Sequence, residues 1–335
     1  MNQVIDKMRV VKFSEYGGPE VLTVASSSCA EPAQGQVRIK MVGLALNRAN
    51  SLFRSGNYVF EAQFPSRIGT EGVGIVEAIG AGVTRFAIGQ RVNLMPPLIE
   101  SENGYAADFN VVDQERLLPC PHRFSDIQAA TTWVPFLTLY HLFVEQGLVS
   151  KDKWVVLPAA SSSVALAANN LAHYLGAKTI AITRTANKVN ALKKAGYDAV
   201  IISQQEDISA RIMEITQEGA DFVFDPIGGS QLEMLINGVK SGAVISIYGV
   251  LDPKETVLPI FALMNSGATL KAYSVYELVT DSMRMQAAID YFLPLFESGD
   301  LYPTVDPQPF TLEQITSAFT YLESNDQFGK VIVKF

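Results

Sequence analysis

From about residue 150 onward, five short apolar runs return at a near-constant interval. Trp154–Leu157, Thr179–Thr183, Ala199–Ile202, Phe222–Asp225 and Ala243–Gly249 start 25, 20, 23 and 21 residues apart. Each interval has room for one strand and one helix. Consecutive units of this kind make a parallel sheet, and right-handed crossovers put helices on both of its faces. In the first helix, Val164, Ala168, Leu171 and Leu175 fall on one face, and Gly176 ends it. The fold class is therefore α/β, with a doubly wound parallel sheet.

The first ~125 residues have a different rhythm. Arg9–Phe13, Val37–Leu46, Gly72–Ile79 and Tyr105–Val112 read as strands, separated by turn signals such as Tyr16-Gly17-Gly18-Pro19 and Gly80-Ala81-Gly82. A short helix is expected from Arg48 to Ser55, with Asn47 as its cap. After residue 270 the alternation fades into a strand (Thr269–Val275), two helices (Met283–Glu297 and Thr311–Leu322) and a last strand (Lys330–Phe335). The expected organisation is a β-rich domain over 1–126, a dinucleotide-binding domain over 127–268, and a return to the first domain over 269–335.

Composition narrows the function. With 48% hydrophobic and 18% charged residues, the chain is no disordered segment. A net charge of −8 with no run of Lys or Arg argues against nucleic-acid binding, which needs clustered cations. Two cysteines, Cys29 and Cys120, cannot build a four-cysteine zinc site, and no CxxC or HxxxH spacing occurs. The three histidines, His122, His141 and His173, face no evident nucleophile and are expected to be structural. The N-terminus lacks the apolar core of a signal peptide. The apolar stretch Trp133–Val144 is shorter than the ~20 residues a bilayer requires, and reads as a buried helix. The expectation is a soluble, cytoplasmic protein without a membrane partner; an imported chain that has lost its leader is the alternative.

A dinucleotide fingerprint, G-x-G-x-x-G, belongs between the first strand and first helix of such a sheet. Here Ala160, Ser162 and Ala165 occupy the three glycine positions. All are small. Ala165 still lets helix and sheet approach closely, and Ser162 adds a hydroxyl beside amides that can face a phosphate. The loop Ser161, Ser162, Ser163 and Val164 is thus a cofactor-binding candidate; the alternative is a serine cluster that only caps the helix. At the end of the second strand, where an NAD site carries an acid, the chain reads Thr183-Arg184-Thr185 with Lys188 close behind. A guanidinium and an ammonium suit a 2′-phosphate, so the expected cofactor is NADP(H).

Along almost its whole length the chain resembles the medium-chain dehydrogenase/reductase superfamily, in its zinc-free branch of quinone oxidoreductases and enoyl reductases. The resemblance is carried by Tyr16-Gly17-Gly18-Pro19-Glu20-Val21-Leu22, Asn47-Arg48-Ala49-Asn50, Arg54-Ser55-Gly56-Asn57-Tyr58 and Gly69-Thr70-Glu71-Gly72-Val73-Gly74. Gly89-Gln90-Arg91-Val92, Asp225-Pro226-Ile227-Gly228-Gly229 and Gly329-Lys330-Val331-Ile332-Val333 follow in order. It implies a GroES-like β-rich catalytic domain with an inserted Rossmann domain. It also implies that Asn47 and Thr70 stand where zinc-dependent members carry a cysteine and a histidine, so no metal is expected.

Without a Lewis acid, alcohol oxidation is disfavoured, and hydride delivery to a quinone or an α,β-unsaturated carbonyl is favoured. By the same resemblance Asn47, Thr138, Gly249 and Lys330 should lie near the nicotinamide, with Asn47 and Tyr58 as catalytic candidates. A phenol at Tyr58 could hydrogen-bond the enolate that hydride attack creates. Leu52 and Asn50 depart from the tyrosine and acid common in quinone reductases. Reduction of acyl-thioester enoyl groups and a non-catalytic, NADPH-binding role remain as alternatives. Similar proteins often pair edge strands into homodimers, and Val244-Ile245-Ser246-Ile247-Tyr248 is β-rich enough to lie near such an edge.

Overall fold

The structure is a computed structural model and describes residues 4–335. The chain forms two compact units: the residues through Val134 with Ile289–Phe335, and Pro135–Ala288. The return to the first unit thus comes at Ile289, later than the residue-269 boundary expected from the sequence.

In the second unit six strands, all parallel, lie in the order Ala199–Ile202, Lys178–Thr183, Trp154–Leu157, Ala220–Asp225, Val239–Ile247, Thr269–Ala272. Counted along the chain this is 3-2-1-4-5-6, the Rossmann order, which reverses direction between Trp154–Leu157 and Ala220–Asp225. The apolar runs are buried because helices cover both faces: Val156, Ile180, Ile201, Val223 and Ile245 share one core with Ile212, Leu232 and Leu235 from the helices. Thr269–Ala272 pairs in register with Val244–Ile247 and so belongs to this sheet, not to the returning segment. It also takes the edge. The strand ending at Ile247 is interior, one place in from that edge, and so lies near it as the sequence suggested.

In the first unit the main sheet runs Val305–Thr311, Lys330–Lys334, Gln36–Ala45, Glu71–Ile79, Arg91–Leu94, Leu117–Pro119, with Phe109–Asp113 also paired to Gln36–Ala45. Ile5–Phe13, Thr23–Cys29 and Ser66–Arg67 form a second, smaller sheet. Strands Thr23–Cys29 and Val305–Thr311 were not expected. The first is serine-rich and mostly exposed, and the second contains two prolines, so neither shows an apolar alternation. The last strand runs antiparallel to Gln36–Ala45, with Ile332 opposite Ala45 and the Leu46 amide bonded to the Val331 carbonyl at 3.0 Å. That register carries Lys330 to the start of helix Arg48–Arg54.

The buried helix expected over Trp133–Val144 is α-helical only over Trp133–Leu139; Tyr140–Glu145 then form a π-turn. No described helix is long and apolar enough to cross a membrane.

Candidate functional site

In the first unit, Asn47 occupies the N-cap of helix Arg48–Arg54, as expected, but its side chain is not spent on capping. Its backbone amide donates to Asn50 Oδ1 at 2.9 Å, so Asn50 supplies the side-chain half of the cap. The Asn47 carboxamide is left to face inward. Its Oδ1 accepts from the Lys330 ammonium, and its Nδ2 donates to Thr70 Oγ1 at 3.2 Å. Asn50 Nδ2 donates to the same Thr70 oxygen at 3.2 Å and to Glu100 Oε1 at 2.7 Å. The Gly69 amide donates to that Glu100 oxygen at 2.8 Å. Gly69 must be glycine: its φ is +111°, and a β-carbon there would lie 3.1 Å from the Ala106 nitrogen.

Two carboxylates bound this network. Glu71 pairs with Lys330 at 2.8 Å, both fully buried, and its other oxygen accepts from the Val134 amide at 2.8 Å. Glu100 has no such cation, and burial pushes its carboxyl up to about 7 despite the bonds from Gly69 and Asn50. Tyr58 is half-buried against the core, edge-on to Phe60 at 5.8 Å. Burial first, then the negative charge of Glu100, raises its phenol to about 12. A phenol so held is a hydrogen-bond donor at neutral pH, not a source of phenolate. Among the described residues no cluster of His, Cys, Asp and Glu could hold a metal ion.

In the second unit the glycine-free loop turns at Ala159, whose φ is +48°, one residue before the first expected glycine position. Ser162 caps helix Ser163–Tyr174, its Oγ accepting from the Ala165 amide at 3.2 Å. Ala165 is buried, as close helix–sheet packing requires. Among the described residues, the amides of Ser161, Ser163 and Val164 have no protein acceptor, as expected for loop and first-turn donors. The Lys188 ammonium reaches Ser161 Oγ at 2.9 Å. Thr183 ends the second strand and Arg184 beyond it is exposed; the Ala160 amide ties the loop to this strand through the Ile182 carbonyl at 3.2 Å. The Tyr197 hydroxyl lies 2.9 and 3.0 Å from the Ala160 and Ala165 carbonyls and braces the turn from behind.

Thus Ser161, Ser162, Ser163, Val164, Thr183, Arg184 and Lys188 gather around one loop, while Asn47 and Lys330 touch each other in the first unit. Thr138 is buried on helix Trp133–Leu139. Gly249 follows strand Val239–Ile247, where a β-carbon would approach the Pro226 carbonyl oxygen to 2.8 Å. Asp225, beside it, accepts from the amides of Ile227 and Gly228, and burial raises its carboxyl to about 6.

The histidines are held as structural side chains: His173 by Asp198 at 3.0 Å, His122 by Glu297 at 3.0 Å, and His141 between Glu145 and Arg284. Both cysteines are buried and unbridged, and burial lifts Cys120 to about 11, away from the reactive thiolate. Thr70, Asn50, Glu71 and Glu100 were not expected as site residues. Thr70 and Asn50 carried a signal, as polar residues where relatives differ; Glu100, in an ordinary polar segment, carried none.

Residues 33–122 match the family described as "Alcohol dehydrogenase GroES-like domain", and residues 163–293 match "Zinc-binding dehydrogenase". Quinone oxidoreductase 1 of Escherichia coli is 28% identical over 327 residues, covering 96% of this chain and 98% of that protein. The chloroplastic NADPH-dependent alkenal/one oxidoreductase of Arabidopsis thaliana is 27% identical, covering 98% and 79%. The crystal structure of Escherichia coli quinone oxidoreductase complexed with NADPH superposes with a TM-score of 0.89 at 26% identity, covering 98% of this chain and all of that one.

Proposed function

The chain belongs to the medium-chain dehydrogenase/reductase superfamily, in its quinone oxidoreductase branch, and from that premise we propose that it is an NADPH-dependent, zinc-independent reductase of quinones or α,β-unsaturated carbonyls. The observation that carries the cofactor reading is the donor set of the second unit: three unpaired amides at a helix N-terminus, with Lys188 at the loop and Arg184 at the end of the neighbouring strand. This set fits a pyrophosphate on the loop and a 2′-phosphate on the cations, and no acid stands at Thr183-Arg184-Thr185 to repel that phosphate. NADPH, when bound, supplies the hydride.

Zinc independence is supported by donor chemistry. Where a metal-binding relative would present thiolate and imidazole, this chain presents the Asn47 amide and Thr70 hydroxyl, bonded to each other, with the Lys330 ammonium already on the Asn47 oxygen. A second cation at that place would be repelled. The acceptor must therefore be electrophilic without metal assistance, as a quinone or an enone is. Hydride addition at the β-carbon moves the C=C π pair toward the carbonyl and leaves negative charge on its oxygen. Neutral donors stabilise that charge: the Tyr58 phenol, kept protonated by burial, and the Asn47 amide. Glu71 holds Lys330 and so fixes the Asn47 orientation.

The cytoplasm is the proposed location. A homodimer is also proposed. The edge strand Thr269–Ala272 adjoins helix Ile260–Ser266, where Phe261 is 81% and Met264 72% exposed, an apolar surface of the kind subunits cover.

The function is tested by following NADPH oxidation with a panel of quinones, enones and enoyl thioesters. Turnover of quinones or free enones is expected. Turnover confined to acyl thioesters would favour the enoyl-thioester reading, and cofactor binding with no turnover of any acceptor would favour a non-catalytic role.

A further inference from the structure

The hydrogen bonds around Thr70 leave its hydroxyl proton with nowhere to go. Lys330 can only donate, so Asn47 must turn its oxygen to Lys330 and its NH2 group to Thr70. The Asn47 backbone N–H can only donate as well, so Asn50 must turn its oxygen to Asn47 and its NH2 group to Glu100 and Thr70. Both amides therefore donate to Thr70 Oγ1 and fill its two acceptor sites. Its own O–H proton has no acceptor among the described residues, although the residue is only 5% exposed. A buried donor left unsatisfied costs free energy, so the group calls for a partner that completes the bond. The arrangement also sharpens it: a hydroxyl whose oxygen accepts two N–H bonds is polarised into a stronger donor. Asn47 keeps a second Nδ2 proton that likewise has no acceptor among the described residues.

We propose that the Thr70 hydroxyl, aligned by Asn47 and Asn50, donates the hydrogen bond to the substrate carbonyl oxygen. The proposal rests on the reductase reading above and adds the group that replaces metal assistance at that oxygen. The step balances without proton transfer from Thr70. Hydride from NADPH, which becomes NADP+, forms the new bond to the β-carbon. The C=C pair becomes the Cα=C bond of the enolate, and the carbonyl π pair moves onto oxygen, where the Thr70 O–H holds it. Solvent then protonates the α-carbon and the saturated carbonyl forms. Glu100 acts on this only as a positioning residue, by fixing the Asn50 amide.

The test pairs Thr70→Val, which keeps the shape and removes the hydroxyl, with Thr70→Ser, which keeps the donor. With an enone, Thr70→Val should lose about 100-fold in kcat, the scale of one oxyanion donor. The NADPH Kd should be unchanged, and Thr70→Ser should stay within a few-fold of the wild type. Because valine also strips Asn47 and Asn50 of an acceptor, a second measurement reads the contact directly: the infrared carbonyl stretch of a saturated ketone bound to the NADP+-loaded protein. A lowered stretch in wild type and Thr70→Ser that returns toward its free value in Thr70→Val supports the proposal. An unshifted stretch in wild type, or the same shift in all three, overturns it. A Thr70-dependent shift without turnover of any acceptor would sustain the contact and overturn the reductase reading; turnover with a Thr70-independent shift would do the reverse.

Discussion

At the level of single residues, the site's chemistry depends on which groups carry charge at neutral pH. Glu100 in the native state titrates near 7, above the ordinary 4.5 of its side chain, because burial opposes the carboxylate. The native protein therefore holds a proton there that the unfolded chain has released, and stability falls as pH rises from about 4.5 to about 7. Glu100→Gln keeps an acceptor for Asn50 and Gly69 and removes the titration. Thermal melts should show the wild type losing stability relative to the variant across that window, by at most about 3 kcal/mol; parallel curves would contradict the assignment. Arg184→Ala should weaken NADPH binding ~10-fold or more and leave NADH little changed, because a charge-assisted bond contributes about 1.5–3 kcal/mol. Asn47 and Tyr58 stood out in the sequence by resemblance. The contact of Asn47 with Lys330 did not, because 283 positions separate them and only the pairing of the last strand with Gln36–Ala45 closes that distance.

At the level of elements, the cofactor loop shows how a turn can dispense with glycine. Ala159 takes the left-handed conformation, at a cost of about 1 kcal/mol, and Tyr197 holds the carbonyls of Ala160, just after the turn, and of Ala165, in the first turn of the helix. Tyr197→Phe should lower stability by ~1 kcal/mol in denaturant titrations and raise the NADPH Kd, since the loop amides lose their backing. Ser162→Ala should cost a similar ~1 kcal/mol through the lost cap. The first helix was legible in the sequence because its apolar spacing and its serine cap agree. The π-turn at Tyr140–Glu145 was not, because the largely buried apolar run Trp133–Val144 has no periodicity to reveal a change of pitch.

At the level of the whole molecule, the strand–helix interval was enough to expect a parallel sheet, and its strand order puts the loop at the carboxyl end of the first strand, beside the reversal of order. The sixth strand was expected but given to the returning segment, because Thr269–Ala272 is short and half-exposed, as edge strands are. If that edge and helix Ile260–Ser266 are covered by a second subunit, sedimentation should find a dimer, and Phe261→Asp should shift it to monomer with the cofactor site intact. The claim on which all three levels depend is that the second unit holds NADPH without a glycine fingerprint. Parallel titrations with NADPH and NADH, read by the fluorescence of the reduced nicotinamide, test it most directly. Tighter binding of NADPH, with the preference abolished in Arg184→Ala, is the predicted result. No binding of either nucleotide, or a preference for NADH, would contradict the account.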